Sequence, residues 1–153
     1  MDDRIANPGL AISLKATKTP RPEHATAVLQ IITAKYSNPQ FNVDALAEKN
    51  GTSTSFLYEV VYARFGMTPQ ELIEAFRLEQ AIHLLAANGE KIGHIRMKAG
   101  YAYTKTFRRA FKNRFNLTPQ ACRDRLAHAQ DRQAEIKCLL DVLWKTDTMK
   151  NDR

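Results

Sequence analysis

Five side chains between positions 104 and 112 have the types and the spacing to recognise a polyanion. Thr104, Lys105, Arg108, Arg109 and Lys112 interleave with Phe107, Ala110, Phe111 and Phe115, whose i, i+3, i+4, i+8 recurrence marks one face of a helix. Turning that apolar face inward leaves the other five as an outward ridge. Its guanidinium forks match the paired acceptors of guanine, its ammonium groups neutralise phosphate, and a short helix fits the major groove of B-form DNA. Gly100, just ahead, supplies the permissive backbone that a tight turn between two helices needs. The ordinary alternative is a solvated helix whose cations only keep the protein soluble.

The distribution of charge weighs against that alternative. The chain of 153 residues has a net charge of +7, and residues 88–126 carry ten Lys and Arg against two acids. Residues 41–87 carry three against six. A concentrated patch points to a polyanionic partner more than a diffuse excess would. Other chemistries find little support. Cys122 precedes Arg123, whose charge would depress a thiol pKa, yet neither a base nor metal ligands accompany it; a small buried core residue is the better reading. His24, His83, His94 and His128 lack ligand-like spacing, so neither a metal site nor a cofactor is expected. Two cysteines make no disulfide framework. No apolar run is long enough for a bilayer, and the first residues lack the pattern of a signal peptide. The expectation is a cytoplasmic, nucleoid-associated protein without enzyme activity or a membrane partner.

The elements that would position the ridge can be read in order. Residues 1–22 have no sustained periodicity and contain Asn7-Pro8-Gly9 and Thr19-Pro20-Arg21-Pro22, which predicts an arm. Helices are predicted from Glu23 to Tyr36 and from Val43 to Asn50, the second stopping at Gly51. Ser53 is placed to cap a third, with Phe56, Leu57, Val60, Val61 and Phe65 inside and Gly66 closing it. Thr68-Pro69-Gln70-Glu71 is a capping box with proline at the first helical position. The helix it starts runs to about Ala87 and is apolar nearly all round, so it must be covered on more than one side. After Asn88-Gly89 the pattern repeats. Ile92, Ile95 and Gly100 mirror Val43, Leu46 and Gly51, while Phe107, Phe111, Phe115 and Thr118-Pro119 mirror Leu57, Val61, Phe65 and Thr68-Pro69. Two copies of short helix, glycine turn and longer helix look like paired helix-turn-helix units.

Leu46-Ala47 with Gly51 and Ser53, then Leu57, Gly66 and Thr68-Pro69, lead to Phe76-Arg77-Leu78, Ala81 and Leu84-Leu85. Ile92, Ile95, Gly100-Tyr101, Phe107, Arg109, Phe111-Lys112, Thr118-Pro119 and Arg123 complete the series. In this order and at these separations the chain resembles, over residues 24–126, the DNA-binding domain of the AraC/XylS family of bacterial transcription regulators. The resemblance implies an all-α fold of seven helices in two helix-turn-helix subdomains joined by a long linker helix; the residues beyond it add an extra C-terminal helix. The chain is accordingly divided into an arm (1–22), a DNA-binding domain (23–127) and a C-terminal amphipathic helix and tail (128–153). Within the domain the first unit covers 41–67, the linker helix 69–87 and the second unit 91–126. Each unit's second helix would enter the major groove, about one helical turn of DNA apart.

Carried over position by position, the groove-facing residues are Thr104, Lys105, Arg108 and Arg109 in the second unit, with Lys112 on the backbone, and Ser55, Tyr58 and Glu59 in the first. Three departures stand out. Glu59 occupies a place where the family usually has arginine, Val61-Tyr62 replaces the usual Phe-Lys pair, and Arg96 replaces an alanine that packs under the recognition helix. Family members usually carry a ligand-sensing domain. Residues 1–22 are too few for one, which likens the chain to the short stand-alone members, although a fragment of a larger regulator would read the same.

Residues 130–146 place Ile136, Leu139, Leu140 and Leu143 on one stripe with Val142 and Trp144 flanking it. Such a helix either packs back onto its own domain or serves as an oligomer or partner surface. The resulting expectation is a sequence-specific regulator that binds double-stranded DNA and, as the resemblance implies, activates transcription by contacting RNA polymerase. The competing class is an AraC-like interaction module whose first unit has left DNA and binds a protein through Tyr58, Glu59 and Tyr62.

Overall fold

Local chemistry sets the helix boundaries. The computed structural model describes residues 19–87 and 89–144; most of the expected arm, Asn88 and residues 145–153 lie outside them. The helices are α1 (Pro22–Lys35), α2 (Val43–Asn50), α3 (Thr54–Phe65), α4 (Pro69–Ala86), α5 (Ile92–Ala99), α6 (Thr104–Phe115), α7 (Pro119–His128) and α8 (Arg132–Trp144). Asn42 Oδ1 accepts from the Ala45 amide at 2.9 Å, and Ser53 Oγ from the Phe56 amide at 3.1 Å. The capping box forms as predicted: the Glu71 amide donates to Thr68 Oγ1 at 3.1 Å while Glu71 Oε1 accepts from the Thr68 amide at 3.0 Å. Thr118 repeats the first half of that arrangement with Ala121. Helix α1 begins at Pro22, inside the expected arm, because proline's fixed φ and missing N–H suit a helix's first turn.

Two apolar cores share one helix. Val28, Ile32, Leu46, Leu57, Val61 and Leu72 belong to the first core, and Leu78, Ile82, Ile95, Phe107, Phe111 and Leu126 to the second. Helix α4 gives Leu72 and Ile73 to one, with Phe76 packed against it, and Ala75, Leu78, Ala81, Ile82 and Leu85 to the other. That explains its lack of a single polar face.

The C-terminal helix joins the second core. Ile136, Leu139 and Leu143 are buried there, and Leu140 packs against it, half-buried. Trp144 stands edge-on to Phe76, with centroids 5.5 Å apart, and its indole N–H donates to Glu79 Oε1 at 2.7 Å. Arg114 Nη2 donates to the Leu143 carbonyl at 3.0 Å, and Arg132 Nη1 to that of Ala86 at 3.0 Å. Of the two readings that the sequence leaves open for Ile136, Leu139, Leu140 and Leu143, the structure takes the first, a helix packed back onto its own domain, and leaves little of the stripe for an oligomer surface. The stripe is already covered by the chain's own α4, α6 and α7, and exposing it would return apolar area to water at about 25 cal/mol per Å².

The two units also meet directly. Arg77, on α4, donates through Nε to the Tyr36 carbonyl at 2.8 Å and through Nη2 to those of Asn38 at 3.1 Å and Phe41 at 3.0 Å. Gly100 sits in the left-handed region with φ 101°. A methyl added there would overlap the Tyr36 carbonyl oxygen and lie 3.0 Å from Arg77 Nε. Both backbone conformation and close approach therefore require glycine. The second unit's turn is seated against the end of α1, which holds α3 and α6 in one frame.

Candidate nucleic-acid interface

Helix α6 is anchored by aromatic packing on one side only. Phe107 and Phe111 are fully buried, and Tyr101, Phe107, Phe111 and Phe115 form a chain with successive centroid separations of 5.2, 5.9 and 4.8 Å. Thr104, Lys105, Arg108, Arg109 and Lys112 are consequently all exposed. None of the four cationic side chains among them forms an ion pair or hydrogen bond with another described residue.

The other cations of the basic segment behave differently. Arg96 Nη1 donates to the carbonyls of Tyr101 at 2.6 Å and Ala102 at 2.8 Å. Arg114 pairs with Glu74 at 3.3 Å and Lys98 with Glu90 at 2.8 Å. Arg123 donates to the Glu90 carbonyl, and Arg125 pairs with Glu135. Half of the ten cations are thus engaged within the chain, while the other four on α6 and Lys91 have no side-chain partner among the described residues. Counting charge along the sequence could not separate the groups. The signal for Arg114 was its place seven residues after Phe107 and three after Phe111, on the inward stripe.

Helix α3 presents Ser55, Tyr58, Glu59 and Tyr62, all exposed, with the two tyrosines 44% and 67% accessible. The helix carries no cation beside these residues except Arg64 near its end. Arg64, in the last turn, lies over the Phe65 ring at 5.2 Å. Glu59 makes no ion pair with any described residue, so its charge faces solvent uncompensated. The two outward faces therefore differ in sign.

Cys122 is fully buried, and burial pushes its thiol up to about 11, with Arg125 only partly opposing the shift. Arg123, its neighbour in sequence, is turned toward Glu90 and takes no part. Burial that raises a thiol's pKa is the opposite of the activation a nucleophilic cysteine needs, and it fits a small core residue. Among the described residues no three His, Cys, Asp or Glu side chains converge as metal ligands, and no helix is long and apolar enough to cross a membrane.

Comparison with known proteins agrees with this geometry. A family model described as a helix-turn-helix domain matches residues 46–125, from α2 into α7. Histidine kinase P4 of Formosa agariphila is 32% identical over 96 residues, which are 63% of this chain and 7% of that protein. The HTH-type transcriptional activator RhaS of Escherichia coli is 30% identical over 84 residues, 55% of this chain and 30% of that one. The chain thus spans only a minor part of these relatives' length. Among solved structures, the C-terminal domain of AraT, a response regulator from Geobacillus stearothermophilus, aligns with a TM-score of 0.63 at 25% identity, covering 68% of this chain and 85% of that domain. The C-terminal domain of the two-component response regulator yesN from Fusobacterium nucleatum gives 0.59 at 28% identity, covering 63% and 93%. With two helix-turn-helix units on one shared helix and the family match running through both, the chain belongs to the AraC/XylS family of helix-turn-helix DNA-binding domains.

Proposed function

We propose that this chain is a sequence-specific regulator of transcription that reads double-stranded DNA chiefly through α6, with α3 contributing little. The observation that carries this reading is the contrast between four free, exposed cations on one recognition helix and a neutral-to-acidic face on the other. Arg108 and Arg109 supply bidentate contacts to guanine or to phosphate, Lys105 and Lys112 hold phosphates, and Thr104 donates to a base edge or phosphate. An activating role is supported by the likeness to RhaS, itself a transcriptional activator, and contact with RNA polymerase would be its route.

Titration of DNA affinity against salt tests this assignment. Engagement through α6 alone gives a slope of log affinity against log salt of about −2 to −4, as for roughly two to four phosphates. A clearly steeper slope means that both units grip the backbone. A flat response, or no binding, removes DNA as the partner. The exposed Tyr58 and Tyr62 flanking Glu59 favour one second reading, in which α3 docks a protein partner while α6 holds DNA.

A further inference from the structure

Beyond the residues that would touch DNA, one side chain governs how α6 is presented. The two helix-turn-helix turns are not equivalent. Between α2 and α3 the turn is residues 51–53, and between α5 and α6 it is residues 100–103, one residue longer. The shorter turn ends in Ser53, whose hydroxyl accepts from the Phe56 amide. The longer ends in Tyr103, which gives α6 no side-chain cap. Loss of such a cap ordinarily loosens a helix's first turn.

Arg96 stands four residues before Gly100, as Ala47 stands four before Gly51. Both pairs begin the turn the same way: the Thr52 amide donates to the Ala47 carbonyl, and the Tyr101 amide to the Arg96 carbonyl, each at 3.1 Å. Ala47 has no side chain to do more. Arg96 reaches beneath the extra residue and donates Nη1 to two consecutive carbonyls, those of Tyr101 at 2.6 Å and Ala102 at 2.8 Å. Its Nε is buried without a partner, a cost the two charge-assisted bonds must offset for the guanidinium to stay there. From the other side, the Tyr101 ring rests on Phe107. The turn is gripped between an aromatic contact on the core and a cation under its carbonyls.

We infer that Arg96 is a positioning residue: by bracing the long, uncapped turn it sets the pitch at which α6 presents Thr104, Lys105, Arg108 and Arg109. This rests on the reading of α6 as the DNA-contacting helix. A displacement of the order of an ångström is enough to disrupt directed hydrogen bonds while leaving diffuse phosphate attraction in place.

The test pairs amide hydrogen exchange on the free protein with DNA binding. In Arg96→Met, which keeps the apolar stem and removes the donors, the Phe107 amide, bonded to the Tyr103 carbonyl at 3.1 Å, should exchange about tenfold faster, with Ile82 in α4 unchanged. Affinity for a selected site should fall about tenfold, and affinity for random DNA by less than about twofold. The double variant Arg96→Met/Tyr103→Ser, which supplies the absent cap, should restore Phe107 protection; it also serves if the single variant folds poorly. Unchanged Phe107 exchange, equal acceleration at Ile82, or failure of the double variant to restore protection overturns the brace. Faster exchange with selected and random DNA affected alike overturns the positioning role. Whether the assignment of α6 itself has failed is then read from Arg109→Ala in the otherwise native chain, where no loss of site affinity means that another surface reads DNA.

Discussion

The two helix-turn-helix units are built on one inward pattern and carry two different outward faces. Leu57 and Val61 fill the first core as Phe107 and Phe111 fill the second, and both turns bend through a left-handed glycine, Gly51 at φ 70° and Gly100 at φ 101°. Packing constrains the inward positions, because a methylene gained or lost in a close-packed core is felt. Nothing in the fold constrains the outward ones. Ser55, Tyr58, Glu59 and Tyr62 therefore sit on the same scaffold as Thr104, Lys105, Arg108, Arg109 and Lys112. The lesson is that a duplicated fold can keep its architecture while the chemistry of the copies separates, since function resides in the exposed face.

The largest expected effects are on stability, and they sharpen the contrast between cores. Leu143→Ala should cost about 2–5 kcal/mol, as for a fully buried leucine, measured by denaturant unfolding; a loss below about 1 kcal/mol would mean that α8 is not part of the second core. The turn glycines should differ next. Gly51→Ala meets open space and should cost about 1–2 kcal/mol for the left-handed backbone alone. Gly100→Ala should cost about 1–3 kcal/mol more, because the methyl collides with the Tyr36 carbonyl. Equal costs would break the inferred seating of the second turn on α1.

Smaller effects concern DNA. Arg109→Ala should lose about 1–3 kcal/mol of binding and relax one base position, whereas Ser55→Ala should lose less than about 0.5 kcal/mol. Equal losses would erase the difference between the units. Least of all, Glu59→Gln should raise affinity for every sequence by a similar small factor, on the order of a kcal/mol or less, by removing repulsion from the backbone. If it instead weakens one selected site and spares random DNA, the carboxylate reads cytosine and α3 is a specific reader.

Much of this architecture was legible before any coordinates, for local reasons. Ser53, Thr68 and Thr118 announce helix starts because a cap is satisfied within three residues, and the apolar surround of α4 announces two cores because no single contact could cover it. What stayed hidden was settled by partners far along the chain. Arg114 is withdrawn from the basic patch by Glu74, forty residues earlier, and the α8 stripe is covered by helices whose position no periodicity reveals. Arg96 was noticed only as a departure from the family, because the carbonyls it holds become acceptors only once the turn exists. The candidate ridge itself was fully legible, since the alternation of aromatic and cationic residues along α6 decides which side faces water.

The central claim is that α6 dominates and α3 contributes little. Selection of bound sequences from a random double-stranded DNA pool tests it most directly. The account predicts a single strongly preferred segment matching one major-groove contact, with little preference one helical turn away. Two equally informative segments about one turn apart would show that both recognition helices read bases, and would contradict it.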